Sequence, residues 1–127
     1  MENNFHQLYP LDMDVYDKIR TIAKEVYGAA GVHFPKATRE KIDAFVKLGA
    51  DKIPVCIAKT QYSLIDRPSE LGRPEGIKIT ITDANLSNGA GFLVCLAGGV
   101  MTMPGLSKSP AAFRIDVSDE GVITGLF

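Results

Sequence analysis

The amino-acid sequence predicts an α+β fold: two N-terminal helices packed on a mixed, mainly antiparallel β-sheet in a single domain. Two helix-like patterns come first, and strand-like patterns dominate the rest of the chain. Helices and strands segregated in this way are typical of α+β folds. The length of 127 residues suits one domain, and no repeat or linker divides it. We therefore expect residues 1–127 to form one domain.

The first helix is predicted over residues 12–27, because apolar side chains recur there at spacings of three and four. This stripe contains Val15, Ile19, Ile22, Ala23 and Val26. Asp12 or Asp14 can cap the start of the helix, and Gly28 can close its end. The basic residues off the stripe are Lys18, Arg20 and Lys24. We expect all three on the solvent-exposed face.

The second helix is predicted over residues 35–48, with Pro35 in its first turn and Gly49 at a left-handed end. Its core-facing residues are expected to be Ile42, Phe45, Val46 and Leu48. The segment between the helices, residues 28–31, is short and is predicted to be a linker.

Strands are predicted where short apolar or alternating runs meet turn-forming residues. These runs cover residues 53–58, 77–86, 92–97, 111–117 and 122–126. The last two runs are separated by Ser118-Asp-Glu-Gly121 and predict a terminal hairpin.

Composition and charge exclude several classes of function. The formal net charge is -1, so nothing favours nucleic acid or an anionic membrane as a partner. No apolar run approaches the roughly 20 residues of a membrane helix, and the N-terminus lacks a signal-peptide pattern. Cys56 and Cys95 lie in apolar runs, outside any CxxC motif. We expect two buried, reduced thiols, no metal site and a cytoplasmic protein.

Three polar loops adjoin the predicted strands: Ala58-Lys-Thr-Gln-Tyr-Ser63, Leu71-Gly-Arg-Pro74 with Gly76, and Met101-Thr-Met-Pro-Gly-Leu106. Each mixes turn-forming residues with polar side chains that a plain connector would not need. Small ligands usually bind where such loops gather at one edge of a sheet. We therefore expect the three loops to lie together.

In the first loop, Lys59 directly follows a predicted strand, so its ammonium group should emerge at the carboxyl end of that strand. Gln61 and Tyr62 add hydrogen-bonding groups beside it. An equally weighted interpretation is that Thr60 and Ser63 only satisfy the backbone of their own loop.

In the second loop, Arg73 lies between Gly72 and Pro74, where a guanidinium can fork onto a carboxylate or phosphate. Pairing of this guanidinium with an acidic neighbour is an equally good interpretation. The candidate partners are Asp66, Glu70 and Glu75. The third loop contains Thr102, Pro104 and Gly105, and Pro-Gly suits a type II turn whose backbone could hold a flat heterocycle, or a plain turn.

No motif for catalysis or for phosphate binding is present. A phosphate loop needs Gly-x-x-x-x-Gly-Lys-Ser/Thr, and no stretch fits, since Gly89-Ala-Gly91 is too short. There is no Gly-x-Ser-x-Gly elbow, and neither His6 nor His33 has a neighbouring acid or nucleophile pattern. We therefore assign no catalytic residue and no metal ligand.

The three loops in their order, followed by Gly125-Leu-Phe127, resemble the carboxyl-terminal part of formate–tetrahydrofolate ligase. The resemblance begins near Leu8 and covers the last quarter or so of a family member. It implies a C-terminal domain of an enzyme that forms 10-formyltetrahydrofolate from formate and tetrahydrofolate. That reaction uses ATP and proceeds through formyl phosphate. The family's phosphate loop lies in an amino-terminal domain, so this chain alone is expected to be inactive.

The resemblance also implies site residues and partners. Those near the nucleotide would be Arg73, Pro74, Glu75 and Gly76. Those in supporting loops would be Lys59, Gln61, Tyr62, Thr102, Pro104 and Gly105. The partner would be the remainder of the ligase or a second copy of the chain.

Two residues depart from the family pattern. Glu75 stands where the family usually has threonine, and its carboxylate would repel nucleotide phosphates but not the adenine end. Ser107 stands where the family usually has proline after Gly-Leu, which loosens the turn. These departures leave a second hypothesis open, namely a stand-alone, non-catalytic binding module derived from the same domain.

Overall fold

The computed structural model describes residues 2–100 and 108–126. The helices are α1 (Val15–Glu25) and α2 (Lys36–Lys47), with short 3-10 turns at Ala50–Lys52 and Ala111–Phe113. The strands are β1 (Gly31–His33), β2 (Val55–Ala58), β3 (Lys78–Ser87), β4 (Phe92–Ala97), β5 (Asp116–Val117) and β6 (Ile123–Thr124). The predicted α+β class is confirmed.

Four strands form a mixed sheet in the order β1-β3-β4-β2. The central pair, β3 with β4, is antiparallel and is the longest, whereas the outer strands β1 and β2 each pair in parallel with their neighbours. Consequently β2 and β4 end where β1 and β3 begin. We call this the loop end of the sheet.

Both helices pack on the sheet and share one hydrophobic core with it. Ile19 of α1 and Ile42 of α2 are fully buried, as are Ile79 and Ile81 of β3. Burial alternates along β4, which is the pattern of strands with only one face covered.

The start of α1 follows the sequence prediction, but one of its lysines does not. The Asp14 carboxylate accepts hydrogen bonds from the backbone N–H groups of Tyr16 at 2.9 Å and Asp17 at 3.4 Å, as expected of an N-cap. The expectation that Lys18 faces solvent is wrong, because this residue is fully buried. Its Nζ donates to the backbone carbonyls of Asp51 and Ile53, at the entrance to β2.

Three other predictions of burial are wrong. Val26 and Leu48 are exposed, and each lies one position past the end of its helix. Cys56 is exposed because it lies on the opposite face of β2 from the buried Val55 and Ile57. Cys95 is buried as predicted, and burial raises the pKa of its thiol to about 12.

The open edge of β2 is covered by a side chain from the segment before α1. The Tyr9 hydroxyl accepts from the backbone N–H of Val55 at 3.0 Å and lies 3.4 Å from the carbonyl oxygen of the same residue, to which it donates. One hydroxyl therefore meets the two backbone groups that a neighbouring strand would pair.

Strand β1 begins at Gly31, the last residue of the segment predicted as a linker, and its three residues pair with the start of β3, where no strand was predicted. The terminal hairpin is confirmed as the antiparallel pair β5 and β6. Its first strand is shorter than predicted, because a 3-10 turn that follows Pro110 occupies Ala111–Phe113.

Candidate functional site

The topology brings the polar loops to the loop end of the sheet. The first loop leaves β2 at Lys59, and the second ends at Gly76, just before β3 begins at Lys78. The end of β4 lies beside the start of β3, because the Gly98 N–H donates to the carbonyl of Thr80 at 3.1 Å. The third loop, with Thr102, Pro104 and Gly105, lies outside the described residues.

The first two loops are held together by their backbones. The Leu64 N–H donates to the Gly72 carbonyl at 2.8 Å, and the Ser63 hydroxyl donates to the same carbonyl at 3.3 Å. Ser63 and Gly72 also form an isolated parallel bridge. Two segments nine positions apart in sequence therefore form one wall of the site.

A cavity of about 380 Å³ lies between these loops, and we call it the loop pocket. It is lined by Lys59, Gln61, Tyr62, Ser63, Leu64, Gly72 and Arg73. A larger cavity of about 430 Å³ lies beside the N-terminal segment, where most of the lining is apolar. We place the candidate site in the loop pocket, because polar and cationic side chains converge there.

Lys59 uses its ammonium group to close its own loop. Its Nζ donates to the carbonyl of Thr60 at 2.9 Å and to the carbonyl of Ser63. The same nitrogen lies 5.4 Å from the centre of the Tyr27 ring, within cation–π range. Partial burial lowers the pKa of Lys59 from its ordinary value. This cation therefore stabilises the loop and also lines the pocket.

The loop also satisfies its own backbone, as the second interpretation of Thr60 and Ser63 predicts. The Tyr62 N–H donates to the hydroxyl of Thr60 at 3.3 Å, and the Ile65 N–H donates to the hydroxyl of Ser63 at 3.3 Å. These bonds leave the side chains of Gln61 and Tyr62 exposed at the pocket.

Arg73 has no acidic partner within residues 2–100 and 108–126. Glu70 instead pairs with Arg67 at 2.6 Å, and Asp66 accepts a hydrogen bond from the Thr80 N–H at 2.8 Å. Of the two interpretations of Arg73, structural pairing with Asp66, Glu70 or Glu75 is therefore wrong for the described structure. Arg73 lines the pocket, and its side chain is exposed.

The residues that follow Arg73 in the second loop do not line the pocket. Pro74 is half-buried, whereas Glu75 is exposed. Gly76 has a φ of 70°, so this turn into β3 requires the left-handed backbone that glycine favours.

Asp66 connects the segment between the first two loops to the central strands β3 and β4. Its Oδ2 accepts from the Thr80 N–H of β3, and its carbonyl lies directly against Gly98, just after β4. A Cβ at Gly98 would collide with this carbonyl, which explains the need for glycine there. The other oxygen, Oδ1, is buried and has no hydrogen-bond partner.

The end of α1 also belongs to the site, which sequence reasoning missed. Tyr27 contacts the ammonium group of Lys59, and Gly28 contacts the guanidinium of Arg73. The sequence identified Gly28 only as a helix end, because nothing in the local pattern indicates which distant side chain it meets.

The part of the chain that the structure describes lacks two further kinds of feature. There, no three His, Cys, Asp or Glu residues group in a way that could hold a metal ion. No helix among the same residues is long and apolar enough to span a membrane.

A polar pocket formed by loops at one end of a mixed sheet is typical of a small-ligand-binding domain. The family model described as formate–tetrahydrofolate ligase matches residues 1–127, the whole chain. The chain belongs to the formate–tetrahydrofolate ligase family, as the sequence resemblance predicts. Membership places it in tetrahydrofolate one-carbon metabolism and implies ATP and tetrahydrofolate as substrates of the full enzyme.

Proposed function

We propose that this chain is the C-terminal domain of a formate–tetrahydrofolate ligase and that its loop pocket completes the nucleotide site. The observation that supports this proposal best is the convergence of Lys59, Tyr62 and Arg73 on one cavity in a chain of this family. The residues nearest the nucleotide would be Arg73, Pro74, Glu75 and Gly76. The loops with Lys59, Gln61, Tyr62, Thr102, Pro104 and Gly105 would support them.

The chemistry of the pocket favours the base and sugar of a nucleotide over its triphosphate tail. Lys59 is occupied by two carbonyls, which leaves Arg73 as the free cation of the described lining. The exposed carboxylate of Glu75 follows two residues later and would repel phosphate groups. The triphosphate would therefore contact another part of the ligase, because no phosphate loop is present in this sequence.

The partner would be that remaining part of the ligase. The terminal hairpin and its flanks expose the apolar side chains of Phe113, Ile115, Val117, Val122, Ile123 and Leu126. An apolar surface of this kind usually marks a contact with protein. A second copy of the chain is the other candidate for covering it. We also propose a cytoplasmic location, which agrees with two cysteines that form no disulfide.

Isothermal titration with ADP tests the nucleotide site directly. We expect the intact chain to bind ADP weakly and Arg73→Ala to weaken binding by roughly tenfold, about 1.4 kcal/mol, because a charge-assisted hydrogen bond is lost. Arg67→Ala is the matched control, since Arg67 is an exposed arginine of the segment between the first two loops, pairs with Glu70 and does not line the pocket. Equal affinities for both variants would contradict the proposal.

A pull-down assay separates this proposal from the stand-alone binding module, which the Glu75 and Ser107 departures leave open. We expect no synthesis of 10-formyltetrahydrofolate by the chain alone. The ligase proposal predicts that the chain binds the amino-terminal part of a family member in a pull-down with purified proteins. A binding module would retain ligand affinity but would not associate with that part.

A further inference from the structure

The C-terminal end of α1 meets the guanidinium of Arg73 at a position without a side chain. A Cβ built on Gly28 would lie 2.8 Å from Nη2 and 3.0 Å from Nε of Arg73. Both distances are shorter than an ordinary contact between a methyl group and nitrogen. An alanine at this position would therefore force the guanidinium to move.

The backbone of Gly28 is itself held in place. Its N–H donates to the carbonyl of Lys24 at 3.0 Å, and the next N–H, of Ala29, donates to the carbonyl of Ala23 at 2.9 Å. With a φ of 69° and this bond to the Lys24 carbonyl, Gly28 ends the helix in an αL motif. The surface against which Arg73 lies is therefore rigid.

The electrostatics of this position also favour a cation. The C-terminus of a helix carries a partial negative charge, which attracts a guanidinium within the last turn. Arg73 is exposed and pairs with no carboxylate among the described residues, so the end of α1 supplies a contact that orients it. An oriented arginine loses less side-chain entropy when it binds a ligand.

We propose that Gly28 is a positioning residue for the nucleotide site. Because it has no side chain, the guanidinium of Arg73 can lie against its Cα and is thereby held in position at the loop pocket; we call this seating. This inference rests on the proposed function, because seating matters only if Arg73 contacts the ligand. Gly28 itself touches no ligand and acts through the arginine.

Gly49 provides a matched control for the backbone effect of a substitution. It follows the end of α2 with a φ of 93°, and a Cβ built on it would meet nothing within 4 Å. Gly28→Ala and Gly49→Ala both place alanine in a left-handed conformation, so they should lower the unfolding midpoint by similar amounts. Only Gly28→Ala should displace a side chain of the pocket.

The first measurement follows the Nε–H signal of Arg73 in ¹H–¹⁵N NMR spectra of the intact chain without nucleotide, identified by its loss in Arg73→Ala. We expect Gly28→Ala to shift this signal and Gly49→Ala to leave it in place. An unmoved signal in Gly28→Ala would overturn the inference, whatever the chain binds.

The second measurement is the dissociation constant for ADP. We expect Gly28→Ala to raise it roughly fivefold, less than Arg73→Ala, because the guanidinium is misplaced but not removed. Gly49→Ala should leave it unchanged, and Gly28→Ala should add nothing in an Arg73→Ala background. Equal constants for the two glycine variants would overturn the inference. If Arg73→Ala itself has no effect, or ADP does not bind, the proposed function fails, and the NMR signal still decides whether Gly28 seats Arg73.

Discussion

The four-stranded sheet and the terminal hairpin are both built from short strands, but they are stabilised differently. In the sheet, alternate residues of β4 are buried under two helices, together with Ile79, Ile81 and Ala84 of β3. In the hairpin, every described side chain of β5 and β6 is exposed. Because an isolated two-stranded hairpin is marginally stable in water, we expect the sheet to fold on its own contacts and propose that the hairpin is stabilised by a partner.

The largest expected effect comes from shortening matched isoleucines in the two regions. Ile81→Ala removes a fully buried side chain of β3 and should lower the free energy of unfolding by about 2–5 kcal/mol. Ile123→Ala, in the hairpin, should change it by less than about 0.5 kcal/mol, since that side chain is 55% exposed. Urea unfolding of the isolated chain measures both, and similar losses would contradict the comparison.

A buried polar contact between α1 and the entrance to β2 should have the next largest effect on stability. Lys18→Met keeps the aliphatic stem but leaves the carbonyls of Asp51 and Ile53 without their donor, at a cost of about 1–3 kcal/mol. Lys24→Met is the control, because Lys24 is an exposed lysine of the same helix. Thermal unfolding of both variants at neutral pH checks this, and equal midpoints would mean that Lys18 is not needed at the entrance to β2.

A smaller difference between the four-stranded sheet and the terminal hairpin is expected in how their stability depends on pH. Lys41 of α2 pairs with Asp83 of β3 at 2.7 Å, and this hydrogen bond holds the pKa of the Asp83 carboxyl below its usual 3.8. The folded state therefore binds fewer protons, so this stabilisation is present above pH 3.8 and is lost as the pH falls through the lowered pKa. Both side chains are at least 40% exposed, which limits the contribution to roughly 0.5 kcal/mol.

Asp83→Asn should reduce the loss of stability in acid, as measured by urea unfolding at pH 3 and pH 7. Asp116→Asn is the control from the hairpin, where the carboxylate accepts from the N–H of the next residue, Val117, and pairs with no cation among the described residues. If both substitutions change the acid transition equally, the ion pair between α2 and β3 does not stabilise the four-stranded sheet more than Asp116 stabilises the hairpin.

Much of the fold could be predicted because its signals are local. Apolar periodicity located both helices, alternation located β3, and the glycine-rich turn separated β3 from β4. Strand β1 was missed because three residues are too few to show a period, and their pairing with Lys78–Thr80 is a long-range contact.

The errors have one physical origin, namely contacts that the sequence spacing does not contain. Lys18 is buried because backbone carbonyls more than 30 positions away need a donor. In the site, Lys59 and Arg73 were found from loop chemistry, whereas Tyr27 and Gly28 were not. Their contribution depends on where the end of α1 lies relative to loops far along the chain.

The hydroxyl of Tyr9 on the edge of β2 has a consequence for solubility. A bare edge strand exposes a template on which another molecule can extend the sheet, and that is a common start of aggregation. Because Tyr9 occupies the N–H and carbonyl of Val55, we expect the residues before α1 to protect the β2 edge from such pairing. Removing the residues before α1 would remove that protection, so expression of the truncated form should yield more insoluble protein.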